Sequence, residues 1–216
     1  DTAGNTATVA GASTTLDTSA DLDTTAALTI ADSLVASSEA TAVSYTVANI
    51  DSDATVVVTF TDGSATVTAD LTDNGTSTVD LSSLADGTIT SSLAITDTAG
   101  NTATVAGAST TLDTTAPTVS SVSLSDTAIA EGDAAGTVTA TITFSEAMAA
   151  GSTPTITNNA ASTLTLPTNG QWTSTTTYTI DYTVADTNVE LADITFDVSA
   201  ATDVAGNTQT AATTVS

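Results

Sequence analysis

The sequence predicts an all-β chain made of two tandem Greek-key β-sandwiches in an extended arrangement. Three observations carry this expectation: a repeated segment, period-two alternation of apolar residues, and turn signals at regular spacing. The segment DTAGNTATVAGASTTLD at 1–17 recurs without change at 97–113, and DVAGNTQTAATTVS at 203–216 matches its start at 7 of 14 positions. Each copy reads as the end of a unit, and the LDTTA at 22–26 and LDTTAP at 112–117 that follow read as linkers. Pro117 closes one unit and opens another. The expected division is the terminal strand of a preceding repeat at 1–16, a linker at 17–23, a domain at 24–112, a linker at 113–117 and a domain at 118–216. The strand at 1–16 is then an orphan. An ordered lone strand needs a partner from a neighbouring sheet or chain, or else it drapes along the first domain.

Within each domain the strands follow from alternation. Val56, Val58 and Phe60 share one face, with Thr55, Val57 and Thr59 on the other, and Ile89, Leu93 and Ile95 repeat the pattern. In the second domain Val138, Ala140, Ile142 and Phe144 alternate with Thr137, Thr139, Thr141 and Thr143. Tyr178, Ile180, Tyr182 and Val184 make another inward row, and Ile194, Phe196 and Val198 a third. Turn signals at Thr61-Asp62-Gly63, Asp73-Asn74-Gly75, Asp86-Gly87, Glu131-Gly132-Asp133 and Asn169-Gly170 separate about seven strands per domain. Thr supplies 54 of the 216 residues, and with Val it favours half-buried strands over helix.

Composition bounds the function. Lys, Arg and His are absent, so the 25 acidic residues give a formal charge of −25 that no side chain of this chain can neutralise. Such a surface repels nucleic acid and anionic lipid headgroups, and cations are its natural partners. The 40% hydrophobic fraction argues for folding over disorder. Without Cys there are neither disulfides nor thiolate metal sites, so stability must come from packing and ions. No apolar run approaches ~20 residues, so no direct membrane insertion is expected. The absence of Lys and Arg also removes every trypsin-type cleavage site, which suits exposure outside the cell.

Catalysis is not expected. Ser-His-Asp and Cys-His sites need an imidazole, Schiff bases need a lysine, and zinc sites normally need His or Cys. A carboxylate pair of the glycosidase type is all that remains, and nothing in the sequence singles one out.

The stretch TSTVDLSSLADGTITSSLAITDTAGNTATVAGASTTLDTTAP resembles the bacterial immunoglobulin-like repeats of giant secreted, RTX-type adhesins and cell-surface fibre proteins. VTATITFSEAM at 138–148 and DVAGN at 203–207 resemble a sister immunoglobulin-like type. The resemblance implies two immunoglobulin-like sandwiches acting as a structural extender or adhesion module of a long extracellular fibre, secreted or on the bacterial surface, with biofilm adhesion as a setting. It also implies calcium at domain junctions and neighbouring repeats of the same protein as partners. Thr76-Ser77 and Ala27 depart from the pattern, where an aromatic and a linker proline commonly stand.

Carboxylates, backbone carbonyls and Asn amides are hard oxygen ligands of the kind calcium takes in numbers of ~6 to 8. The linkers concentrate them. A DTAGN loop and its own LDTTA linker lie at opposite ends of a sandwich and cannot share an ion, so a junctional site must join one unit's linker to the next unit's loops. At the second junction the candidates are Asp113, Glu146 and Asp203, and at the first Asp17 or Asp23 with Asp97. The plainer roles are local: Asp97 and Asp203 as Asx-turn formers, Asp113 as a solvated linker carboxylate, Glu146 as a strand-end residue, and Asp62, Asp73, Asp86 and Asp133 as turn formers. Two other functions stay open. One is a self-assembling filament subunit that uses the strand at 1–16 in contacts with other copies. The other is a glycan- or ice-binding module, through Trp172 or the Thr row at 137–143, although core packing accounts for Trp172 and β-propensity for the threonines.

Overall fold

The structure, a computed structural model, describes residues 2–20, 25–71, 74–188 and 190–215. Its regular structure is all β apart from two single 3-10 turns, at Ala40–Ala42 and Glu131–Asp133. Among the described residues no helix is long and apolar enough to cross a membrane.

Among the described residues the N-terminal half holds nine strands: β1 (Ala27–Ile30), β2 (Leu34–Ala36), β3 (Val43–Ala48), β4 (Ala54–Thr61), β5 (Thr66–Leu71), β6 (Gly75–Val79), β7 (Gly87–Asp97), β8 (Thr102–Ala106) and β9 (Thr110–Asp113). One sheet runs β1-β3-β6, and the other β2-β9-β7-β4-β5 with β8 also paired to β7. The alternation is realised as expected: Val56, Val58, Phe60, Ile89, Leu93 and Ile95 are at most 2% exposed. They meet Tyr45, Val47 and Leu81 from the other layer, and the Tyr45 ring stands edge-on to Phe60 with centroids 5.4 Å apart. β7 carries the hinge of this sheet. Its first residues pair with β9 and its last with β8, so strand seven closes both ends of the repeated segment. Between β8 and β9 the chain passes so close to the core that a Cβ at Gly107 would lie 2.4 Å from Ser91 Oγ and 2.6 Å from Leu28 Cδ2, which leaves room only for glycine.

The C-terminal half holds β10 (Val119–Leu124), β11 (Thr137–Phe144), β12 (Thr155–Asn158), β13 (Leu164–Trp172), β14 (Thr177–Val184), β15 (Thr195–Ser199) and β16 (Ala212–Val215). Its sheets run β10-β11-β14-β13 and β12-β15-β16. A separate core forms between them from Val138, Ala140, Ile142, Phe144, Tyr182, Val184, Phe196 and Val198. Trp172 belongs to this half's packing. Its ring lies 5.3 Å from Phe144 and 5.1 Å from Tyr178, and its Nε1 donates to Ser152 O at 2.7 Å.

One local expectation is corrected. Asn169-Gly170 does not separate strands but lies inside β13, where the register to β14 shifts between Thr168 and Gln171 and Asn169 takes φ +53°. An Asn with positive φ serves a bulge as well as a turn, and the flanking residues keep pairing. Residues 2–17 form no strand, although 98–113, which repeat them, form β8 and β9. A strand forms where a ladder is offered, and among the described residues no strand is paired with this segment. Val9 and Leu16 are 88% and 89% exposed there, whereas Leu112, the copy of Leu16, is 1% exposed.

Candidate metal centre at the junction

The junction is built from two loops and a linker. The D-x-A-G-N loop, between β7 and β8 in one half and between β15 and β16 in the other, is folded the same way in both, and its Asp is the reason. Asp203 Oδ1 accepts from Gly206 N (2.7 Å) and Asn207 N (2.8 Å), and Oδ2 accepts from Asn207 Nδ2 (2.9 Å). Asp97 accepts from Asn101 N (2.8 Å) and Asn101 Nδ2 (2.7 Å) in the same pattern. The Asx-turn role read from the sequence is therefore present at both. It does not exhaust Asp203, which is 1% exposed and faces two further carboxylates.

Those carboxylates are Asp113, on the linker leaving β9, and Glu146, just beyond β11. One oxygen from each of Asp113, Glu146 and Asp203 lies within 4.8 Å of the others. Sequence reasoning named these three, and the fold brings them together where the halves meet. It missed Asp86, which had been read as a turn former. Asp86 Oδ1 accepts from Thr114 N (2.9 Å) and Thr114 Oγ1 (2.8 Å), and Oδ2 accepts from Thr115 Oγ1 (2.7 Å), so it pins the linker beside the cluster. The Asp-Gly dipeptide reads as a plain turn, and only the three-dimensional return of β9 to the β6–β7 loop reveals the second role.

The electrostatics agree with this crowding. Burial pushes the Asp113 carboxyl above its ordinary value of 3.8, with Asp203 and Asp86 adding to the rise. Burial also pushes Glu146 above 4.5, with Asp113, Asp203 and Asp86 adding to it. At Asp86 burial acts upward too, but the hydrogen bonds from Thr115 and Thr114 outweigh it and hold the group below 3.8. Asp97 is held low by the Asn101 carboxamide first.

The remaining candidates are placed differently. Asp17 Oδ1 accepts from Ser19 N at 3.3 Å, a local turn bond, and from Asn101 Nδ2 at 3.4 Å, and so lies beside the Asp97 loop. Asp23 lies outside the described residues. Asp62 accepts from Ser64 N, Ala65 N and Ala85 N, which makes it a loop organiser. Of the threonines at 137–143, Thr139 donates to Asp181 Oδ1 at 2.7 Å and is partly buried.

A pH dependence follows. A carboxyl raised in the folded state costs stability above its folded pKa and returns it as pH falls through that value, whereas a lowered one gives stability that is lost as pH falls below its ordinary value. With chelator present, lowering the pH toward the raised values of Asp113 and Glu146, above 3.8 and 4.5, is expected to raise stability. Further acid, below 3.8, is expected to remove the contributions of Asp62, Asp86 and Asp97. Thermal melting against pH checks this; Glu146→Gln should flatten the upper limb and leave the lower one.

No protein-family model matches the chain, and no curated protein matches it. Among solved structures 14 chains are similar to it. One is a tetra-tandem repeat in the extending region of a large adhesion protein: 23% identical, TM-score 0.34, with 88% of this chain and 49% of that one covered. Another comes from a 1.5-MDa bacterial ice-binding adhesin described for host cell surface retention: 23% identical, TM-score 0.45, with 93% and 65% covered. The chain thus spans about half of the first and 65% of the second.

Proposed function

We propose that the chain is a non-catalytic extender module of a long extracellular surface fibre or adhesin, made of two immunoglobulin-like domains at about 24–112 and 118–216 and stiffened by calcium where they meet. The observation that carries this reading is the convergence of Asp113, Glu146 and Asp203, with Asp86 beside them, in a chain that has no cationic side chain to balance them. Three carboxylates are a hard donor set suited to a divalent ion of calcium type. Bound there, the ion would supply only charge and coordination. Asp113 and its linker on one side and Glu146 and Asp203 on the other would hold it. The strand order β10-β11-β14-β13 over β12-β15-β16 is that of a seven-stranded immunoglobulin sandwich, which supports the fold assignment.

The test is melting and small-angle scattering with calcium and with chelator, at matched ionic strength and with a magnesium control. Sites of ~0.1 to 1 mM affinity in about 10 mM calcium would add roughly 1.4 to 2.7 kcal/mol each. A higher melting temperature and a longer, narrower distance distribution in calcium are expected, both reduced by Glu146→Gln. Identical curves in calcium and chelator would refute the ion's role.

The exposed segment 2–19 supports a second reading, in which it completes a sheet of another copy in a filament. Light scattering across a concentration series separates the two: a monomer at every concentration rejects the filament.

A further inference from the structure

Asn207 occupies a position that the ion does not explain. It is 3% exposed, and its carboxamide faces three different parts of the molecule. Its Oδ1 accepts from Ser37 N of the N-terminal half at 2.8 Å. Its Nδ2 donates to Asp113 O of the linker at 2.8 Å and to Asp203 Oδ2 of its own loop at 2.9 Å. Only a group with an acceptor and two donors on one short stem can make these bonds together. An Asp at this place would offer no donor and would add a charge beside Asp113 and Asp203.

The same loop position meets the same tail position twice. Asn101 and Asn207 are the last residues of their D-x-A-G-N loops, and Asp17 and Asp113 are equivalent residues of the 17-residue repeat. Asn207 Nδ2 reaches the backbone carbonyl of Asp113 at 2.8 Å, and Asn101 Nδ2 points to the same tail residue, Asp17, but at its carboxylate Oδ1 and at 3.4 Å. Both loops present the carboxamide alike, because each closes with Gly at positive φ, +90° at Gly100 and +103° at Gly206, and an Asp N to Asn O bond of 3.1 Å.

We infer that the D-x-A-G-N loop is a docking socket for the L-D-T tail of the preceding repeat, and that Asn207 is the positioning residue that fixes the orientation of the two halves by hydrogen bonds, without an ion. The partner it fits is therefore another unit of this same kind: a tail that presents a backbone carbonyl at its Asp, and a turn that presents a free backbone N–H as Ser37 does. The inference rests on the reading of the chain as tandem units, and not on calcium.

The chain has no Cys, so labels can be introduced cleanly. Spin labels at Thr68→Cys and Ser123→Cys, both exposed and one in each half, report the distance between halves by pulsed dipolar spectroscopy. In chelator the otherwise unaltered chain is expected to give a narrow distribution. Asn207→Ala should lose the narrow peak. Because Asn207 also closes its own loop, a second variant acts from the other side. Ser37 is the second residue of the turn closed by Glu39 N to Ala36 O at 3.0 Å, a place where proline fits, and it follows the extended Ala36 of β2. Ser37→Pro deletes the donor without touching the 203–207 loop, and should lose the narrow peak while the melting of both halves is retained. A narrow peak that survives in both variants overturns the inference. So does a parent chain that is broad in chelator and narrow in calcium, since the ion then sets the junction alone. A parent that is narrow in both, with broad variants, upholds the socket while removing the ion's stiffening role.

Discussion

Truncating Phe60 to Ala is expected to destabilise the N-terminal half by about 3 to 5 kcal/mol, enough to unfold a domain of ordinary marginal stability. Phe60 is 0% exposed and centred between the layers, against Tyr45 and among Val58, Leu93 and Ile95. With only 3 Phe, 3 Tyr and 1 Trp in the chain, its volume has no aromatic substitute nearby except Tyr45. The C-terminal half keeps its own core around Phe196, also 0% exposed, and no residue of one core belongs to the other. Calorimetry of Phe60→Ala should therefore show one transition lowered or missing and the other preserved, and Phe196→Ala the reverse. Loss of both transitions in either variant would mean that the halves fold as one cooperative unit.

Removing the Asp203 carboxylate should cost about 2 to 4 kcal/mol in the C-terminal half. Asp203→Ala takes an acceptor from both the backbone amide and the Nδ2 of Asn207, which is 3% exposed, and each such bond is worth ~1 to 3 kcal/mol, whereas the exposed Gly206 N keeps Asp203 O. Partial relief comes from the lost repulsion with Asp113 and Glu146, which keeps the net effect below the sum. Asp203→Asn, which can keep one acceptor oxygen, should cost less than Asp203→Ala. Melting of the two variants in chelator checks the ranking. Equal stability of Asp203→Ala and the parent would show that the loop is held by other means.

Much of this was legible in the chain. Alternation placed Val56, Val58 and Phe60 in one core and Val138, Ala140 and Ile142 in the other, because a period of two leaves a half-buried strand a single choice of face. The site was legible in part. The exclusion of a loop from its own linker follows from the direction of one strand, and that reasoning joined Asp113 to Glu146 and Asp203. Asp86 and Asn207 were not found, because the first depends on how the chain leaving β9 returns to the β6–β7 loop and the second on how a turn of one half faces a loop of the other. Neither residue type nor local spacing encodes such an approach. The terminal strand expected at 1–16 needs a partner that local sequence does not supply: strand propensity is expressed where an edge is offered, and Val9 and Leu16 are exposed.

The parallel pairing of β2 with β9, Leu34 to Thr111 through Ala36 to Asp113, governs how tension passes through the N-terminal half. A pull along the polypeptide draws the early part of this half backward and β9 forward, so two strands that run the same way are made to slide past one another. Their cross-links are then strained together and must rupture collectively, whereas a hairpin peeled from its end yields one link at a time. Mechanical resistance is thereby placed where the chain leaves this half.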